Sequence, residues 1–378
     1  MISGISGKEE NLKMETEKKR KNVLSHKAVR VLIYIICLLV IAASVIVIVM
    51  NLVKKSRQSA EGSELYFDTY CEIEIYDLSA SVSASSLVKT AFNMCDTYEG
   101  LFDMYDEDSE VSLLNSAGGV HTAVSEETAG IMNVAKFFGE LSDGAFDITI
   151  GSVSSLWDFD SEDPSVPDEG EIASALENVN YEDIIIYYEY NEIASQNENT
   201  TYDLGGLAKG YVSTQIKEYF EDQGVTSAMI NLGGNIELIG SKEDGSDFTI
   251  GIQYPFEDEG ETICAVKASD VAISTSGVYE RYFYDEDGNF YTHILDPETG
   301  YPADSGLLSV TVIAADAQDA DPLATAALIM GLEDGMEMIE DYIYCAAIFV
   351  TEDYEIYLTS DLEMDGDTVT LTDEFWEL

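Results

Sequence analysis

The stretch 201–212, TYDLGGLAKGYV, puts a lysine just inside a helix start that adjacent glycines introduce. Paired glycines let the backbone come close to a ligand, and the N–H groups of a helix N-terminus favour an anion. Lys209 would add a full positive charge there. It stands out because residues beyond 57 include only seven bases: Lys89, Lys136, Lys209, Lys217, Lys242, Lys267 and Arg281. The pattern is not a P-loop, and taken alone a glycine turn with a solvating lysine explains it as well.

Three other segments could carry chemistry. In DAQDADPLATAALIMG (316–331), Asp321 and Thr325 are four apart, so a helix puts both oxygens on one face. Hard oxygen ligands of this kind suit Mg2+, which keeps water and phosphate for its other positions. Asp321 followed by Pro322 is also what a helix N-cap with proline at the first position looks like; spacing alone favours the cap, and the two roles can coexist. In YTHILDPETGYP (291–302), His293 precedes a strong turn sequence and could act as a general base at neutral pH, or be a hydrogen-bonded structural histidine. In DGAFDITIGSVSSLW (143–157), Asp147 could face a heteroaromatic ring or sit on a strand edge.

The elements that must position these groups mix both periodicities. Half-buried strands are expected at 70–78 and 184–190, and amphipathic helices at 85–102, 126–141 and 207–222. Strands follow near 226–231, 247–254, 261–267 and 271–275, then a hairpin over 279–295 turning at Asp287-Gly288. A strand at 307–315, a helix over 322–331 and strands near 343–350 and 354–359 complete the chain. Helices and hairpins alternate without βαβ regularity, which makes the expected class α+β.

Composition bounds the rest. Residues 31–50, VLIYIICLLVIAASVIVIVM, are twenty uncharged, mostly apolar positions, long enough for a bilayer. Eight Lys or Arg precede them and Lys54, Lys55 and Arg57 follow, so the N-terminus is expected in the cytoplasm and the remainder outside. The expected organisation is a basic tail (1–30), a transmembrane signal-anchor (31–53), a linker (54–62) and one globular body (63–378), rather than a cleaved signal peptide. Residues 58–378 carry 69 acids against seven bases, a net charge of −62, which excludes nucleic acid as a partner. Cys71, Cys95, Cys264 and Cys345 show no CxxC or Cys/His cluster and are expected as buried thiols.

Together these segments resemble the ApbE family of FAD:protein FMN transferases. The resemblance covers nearly all of the region after the anchor, from YFDTYCEIEIY through GAFDITIG, DLGGLAKGY, INLGGNI, STSGVYERYF, HILDPETGYP, SVTV and ADPLATAALIMG, in that order. It implies a two-lobed α+β body, with mixed or antiparallel sheets and flanking helices, that binds FAD in a cleft with Mg2+ on the pyrophosphate. Asp321 and Thr325 match the side-chain metal ligands, and Gly206 the position offering a carbonyl. Phe67, Ala145, Phe146, Asp147, Asp203, Lys209 and Ile294 match FAD-contacting positions, and His293 the histidine beside the reacting phosphate. The departures, Phe248 for a common Trp, Pro322 for a small residue and Asp103 for a Ser, remove no metal or phosphate group. The implied reaction is attack by a Ser or Thr hydroxyl of an exported acceptor protein on the FMN phosphorus, releasing AMP. The alternatives are an FAD pyrophosphatase using water, or a non-catalytic extracellular flavin binder.

Overall fold

The computed structural model describes residues 6–376 apart from 57, 80, 81, 158, 160, 162, 163 and 259. The chain divides into an N-terminal helix, Ser6–Ser56, and a compact body from Gln58 onward. Within the helix, Val29–Ile46 is long and apolar enough to cross a membrane. The stretch 54–62, expected as a linker, is helical to Ser56 and becomes strand at Ala60.

The body is built on an eight-stranded antiparallel sheet. Its order is Ala60–Tyr66, Thr69–Leu78, Val225–Leu232, Asn235–Ile239, Ala272–Gly277, Leu307–Ala314, Cys345–Thr351 and Ile356–Leu358. Leu307–Ala314 is buried at every position. That follows from cover on both faces, because successive side chains point to opposite sides of a strand. Val310, Val312 and Ala314 pack into a core shared with the helices Ala84–Phe102, Ala208–Asp222 and Ala317–Met330. Ile313 packs the other way, with Leu238, Ile273 and Ile348, against Phe248, Ile250 and Val266 of a four-stranded sheet. A third, smaller core gathers Val153, Trp157, Ile172, Phe283 and Leu295. The expected α+β class therefore holds, as layers of helix, sheet and sheet.

Several boundaries differ from the sequence reading. The strand expected over 184–190 stops at Tyr187. A strand at Asn235–Ile239 was not anticipated; it pairs with Val225–Leu232 through a two-residue turn, Gly233-Gly234, with φ of 62° and 91°. Only glycine adopts two consecutive positive φ values without strain, and this turn matches the twist of its strands. The largest change concerns the helix expected from residue 322, which begins at Ala317, so that Pro322 lies inside it.

The helices Ala208–Asp222 and Ala317–Met330 cross at Gly210. A Cβ placed there would lie 2.3 Å from the Ala317 carbonyl oxygen and 2.6 Å from Asp321 Cβ. Gly210→Ala should thus force the two helices apart, at a cost of about 1–3 kcal/mol for overpacking. Urea unfolding of the variant is expected to show a lower midpoint with an unchanged m-value; an unchanged midpoint would mean that the crossing is slack.

Candidate functional site

The helix start of Ala317–Met330 receives its capping partners from elsewhere in the fold. Glu237 accepts from the Ala317 N–H (2.8 Å) and Thr214 Oγ1 accepts from the Gln318 N–H (3.0 Å). Asp321 is therefore not the N-cap. It sits a full turn inside the helix with 6% exposure, and its Oδ2 accepts from the Gly210 N–H at 2.9 Å. Burial pushes its carboxyl up, while Lys209, the Gly210 N–H and Asn235 pull it down. One turn on, Thr325 Oγ1 lies 3.0 Å from Ser276 Oγ.

Opposite this face stands the glycine turn. Asp203 builds it: Oδ1 accepts from the Gly205 N–H (2.9 Å), Oδ2 from Ser154 Oγ (2.7 Å), and its own N–H donates to Ile148 O (2.7 Å). The result brings Gly206 close to both Phe146 and Thr325, since a Cβ there would meet Phe146 Cε2 at 3.2 Å and Thr325 Oγ1 at 3.8 Å. Lys209 follows in the first turn of the next helix. Among the described residues, no carboxylate lies within ion-pairing distance of its ammonium. Lys217, two turns later, is instead caged by Glu237, Asp316 and the Ala315 carbonyl.

Asp147 does not lie on a strand edge and is held by hydrogen bonds. Oδ1 accepts from the Thr149 N–H (2.8 Å) and Oγ1 (2.7 Å), and Oδ2 from the Tyr181 N–H (2.8 Å). The side chain orders the 145–150 loop from within, and that loop is turn leading into the helix Gly151–Trp157, not strand. Its neighbours are held by the end of the preceding helix, Glu126–Leu141: Ser142 O accepts from the Ala145 N–H and Ser142 Oγ from the Phe146 N–H.

Phe67 occupies the turn between the first two strands, with Asp68; both have positive φ, 53° and 55°. Its N–H donates to Glu99, whose carboxylate thus holds the strained turn. The thiol of Cys71 lies 3.6 Å from Tyr66 O beside this turn, and Lys209 is close enough to act on that thiol, which burial pushes up to about 11. Cys71, Cys95, Cys264 and Cys345 are all buried and unbridged, as expected.

His293 and Ile294 come from a separate segment. His293 Nδ1 lies 3.2 Å from Arg281 O, to which its backbone N–H also donates. A carbonyl only accepts, so a hydrogen bond here requires the hydrogen on Nδ1, the tautomer in which Nε2 can accept. The next turn is fixed by Asp296, which accepts from Glu298 N–H and Thr299 Oγ1, and by Trp157 Nε1, which donates to Gly300 O. Ile294 is buried at 7% exposure.

The structure thus brings Gly206 to Phe146 and Thr325, and Asp321 to Gly210 next to Lys209; Phe67 lies in a turn beside Cys71, on which Lys209 acts, and His293 stays with Arg281 on its separate segment. Two polar residues were not singled out in the sequence. Ser276 reaches Thr325, and the buried Asn235, which accepts from Ser274 Oγ, reaches Asp321. Their signal was present in the segments STSG and INLGGN. Among the described residues, no three His, Cys, Asp or Glu side chains come together. The donor set here is one carboxylate with hydroxyl and carbonyl oxygens, which fits Mg2+ and not a soft metal.

Comparison with known proteins gives a consistent result. A sequence profile described as the ApbE family matches residues 67–349. An FAD:protein FMN transferase of Klebsiella pneumoniae is 34% identical over 276 residues, covering 73% of this chain and 85% of that protein. One from Treponema pallidum is 27% identical over 308 residues, covering 78% and 85%. The crystal structure of the ApbE protein of Thermotoga maritima superposes with a TM-score of 0.73 at 31% identity, covering 80% of this chain and 97% of the other. The flavin transferase ApbE from Vibrio cholerae gives 0.72 at 27% identity, covering 80% and 98%.

Proposed function

Because the chain belongs to the ApbE family, we propose that it carries out its FMN transfer from FAD with Mg2+ at Asp321, Thr325 and the Gly206 carbonyl, and delivers the FMN to a Ser or Thr hydroxyl. The observation that supports the reading is the meeting of Gly206 with Thr325 and of Gly210 with Asp321, which packs the glycine turn and the start of the Lys209 helix against the helix bearing two hard oxygen donors. When bound, Mg2+ would supply positive charge to the pyrophosphate oxygens.

The chain's own residues do the rest. Lys209 holds the pyrophosphate against a strongly acidic background. Phe67, Ala145, Phe146, Asp203 and Ile294 shape the FAD site, with Asp147 keeping the 145–150 loop in place. The acceptor oxygen forms a bond to the FMN phosphorus, and the bond from that phosphorus to the bridging oxygen breaks. AMP departs with the bridging oxygen, and the hydroxyl proton passes to His293 Nε2. Asn235 and Ser276 position Asp321 and Thr325.

The N-terminal helix gives the enzyme its place. Residues 31–53 span the membrane, 1–30 stay in the cytoplasm, and 63–378, reached through 54–62, act outside on exported proteins. The apolar Val29–Ile46 window and the heavier basic load before it support this orientation.

Incubating the full chain with FAD, Mg2+ and an acceptor tests the reading by mass spectrometry. A mass gain on the acceptor marks transfer, free FMN marks hydrolysis, and intact FAD marks mere binding. His293→Ala is expected to slow transfer by about 10²–10⁴-fold, the usual contribution of a positioned base, while FAD affinity stays within about twofold. A large loss of FAD affinity instead would assign His293 to binding.

A further inference from the structure

The hairpin Tyr282–Tyr284 and Phe290–Thr292 ends one residue before His293. Its two faces differ. Phe283 and Tyr291 pair across the strands and turn inward to Trp157 and Phe159. On the opposite face, Tyr282, Tyr284 and Phe290 form a continuous cluster with ring centroids 5.3–5.9 Å apart. Phe256 closes over it from a neighbouring loop, 5.5 Å from Tyr282 and 5.8 Å from Phe290. Phe256 does so at φ 65°, a conformation unfavourable for a bulky residue. Strain of this kind is a reason to look for function. The rings remain open to solvent: Phe256 is 41% exposed, Tyr282 42% and Tyr284 59%.

Around this apolar patch the charge is acidic. Residues 279–292 hold four acids against Arg281, and Glu257, Asp258, Glu286 and Asp287 are exposed beside the rings. Aromatic rings in a polar rim are the usual anchors of a protein interface. The patch also adjoins His293, because Arg281 O, next to Tyr282, receives the His293 N–H and lies 3.2 Å from its Nδ1.

We propose that the outer face of this hairpin, with Phe256, docks the acceptor protein through a segment of apolar and basic residues flanking the hydroxyl that receives FMN. The rings take the apolar side chains, the acidic rim selects Lys or Arg, and the short link to His293 delivers the hydroxyl to its base. This inference rests on the transfer reading above.

The test uses the full chain in phosphatidylcholine nanodiscs and two synthetic peptides of equal length. One carries a single Thr among Lys, Leu and Val; the other has Glu in place of each Lys. Peptide binding is read by fluorescence anisotropy and FAD binding by flavin fluorescence. The Lys peptide is expected to bind about tenfold or more tightly than the Glu peptide. Tyr284→Ser, and independently Phe256→Ser, should weaken it by about tenfold, the scale of an interface anchor, with FAD affinity unchanged. Tyr188→Ser, at an exposed tyrosine on another strand end, should leave both unchanged. Equal binding of the two peptides, no binding of either, or indifference to Tyr284→Ser and Phe256→Ser overturns the docking face alone. Failure of the unaltered chain to bind FAD overturns the transfer reading, and this inference with it.

Discussion

Asp321→Asn is expected to lower Mg2+-dependent FMN transfer by roughly 10²–10³-fold, the loss typical when one preorganised electrostatic group is removed from a reacting centre. The substitution keeps the volume of the side chain and an oxygen for the Gly210 N–H, so the helix crossing at Gly210 is retained. It removes the only negative charge that this helix face offers a cation. Burial already pushes the Asp321 carboxyl up, so the neutral side chain suits the site when no metal is bound. The melting temperature without Mg2+ should therefore hold or rise, while the increase that added Mg2+ gives the unaltered chain disappears. A variant that still transfers FMN with an unchanged Mg2+ requirement would remove Asp321 from the metal site. One that unfolds would show that its bond to Gly210 matters more than its charge.

Lys217→Met is expected to cost about 3–5 kcal/mol of stability, because it leaves the fully buried Glu237 without its cation. Lys217 Nζ donates to Glu237 Oε1 (3.0 Å), Asp316 Oδ1 (2.8 Å) and Ala315 O (2.8 Å), tying Ala208–Asp222 to a sheet strand and to the start of Ala317–Met330. The two carboxylates raise the Lys217 ammonium above its ordinary range, and burial pushes Glu237 up against the pull of Lys217. Removing the cation raises Glu237 further. A carboxyl whose folded-state value is raised contributes stability at low pH that is lost as pH rises through that value. The gap in melting temperature between Lys217→Met and the unaltered chain should hence be small near pH 5 and widen toward pH 8. Adding Glu237→Gln should recover most of the loss, since Gln still accepts from Ala317 N–H and requires no counter-charge. A gap independent of pH would mean that packing, not charge, holds these helices together. Because the same cluster caps the helix carrying Asp321 and Thr325, its failure should also weaken FMN transfer.

Much of the body was legible in the sequence because it depends on local pattern. Alternation marked Thr69–Leu78, the 3.6-residue period marked Ala84–Phe102 and Glu126–Leu141, and Asp287-Gly288 marked the hairpin turn. The order of short motifs pointed to the family, and uncharged length marked the N-terminal apolar helix. What the pattern lacked was the partner of each polar group. Asp321-Pro322 carries a capping signal, yet the fold supplies Glu237 and Thr214 to the helix N-terminus and starts it at Ala317. Asp147 reads from its neighbours as a carboxylate facing a ring or as a strand edge, yet it accepts two bonds from Thr149 in its own loop and one from the distant Tyr181 N–H. Lys209 and Lys217 look alike eight residues apart, and only the sheet strand bearing Glu237 makes Lys217 a structural tie, while among the described residues no carboxylate comes within ion-pairing distance of Lys209. Sequence alone determined most of the longer helices and strands and which residues can coordinate or donate. Long-range packing decided which of those groups are spent on the fold, because a buried polar atom takes whatever partner the assembled elements place within reach.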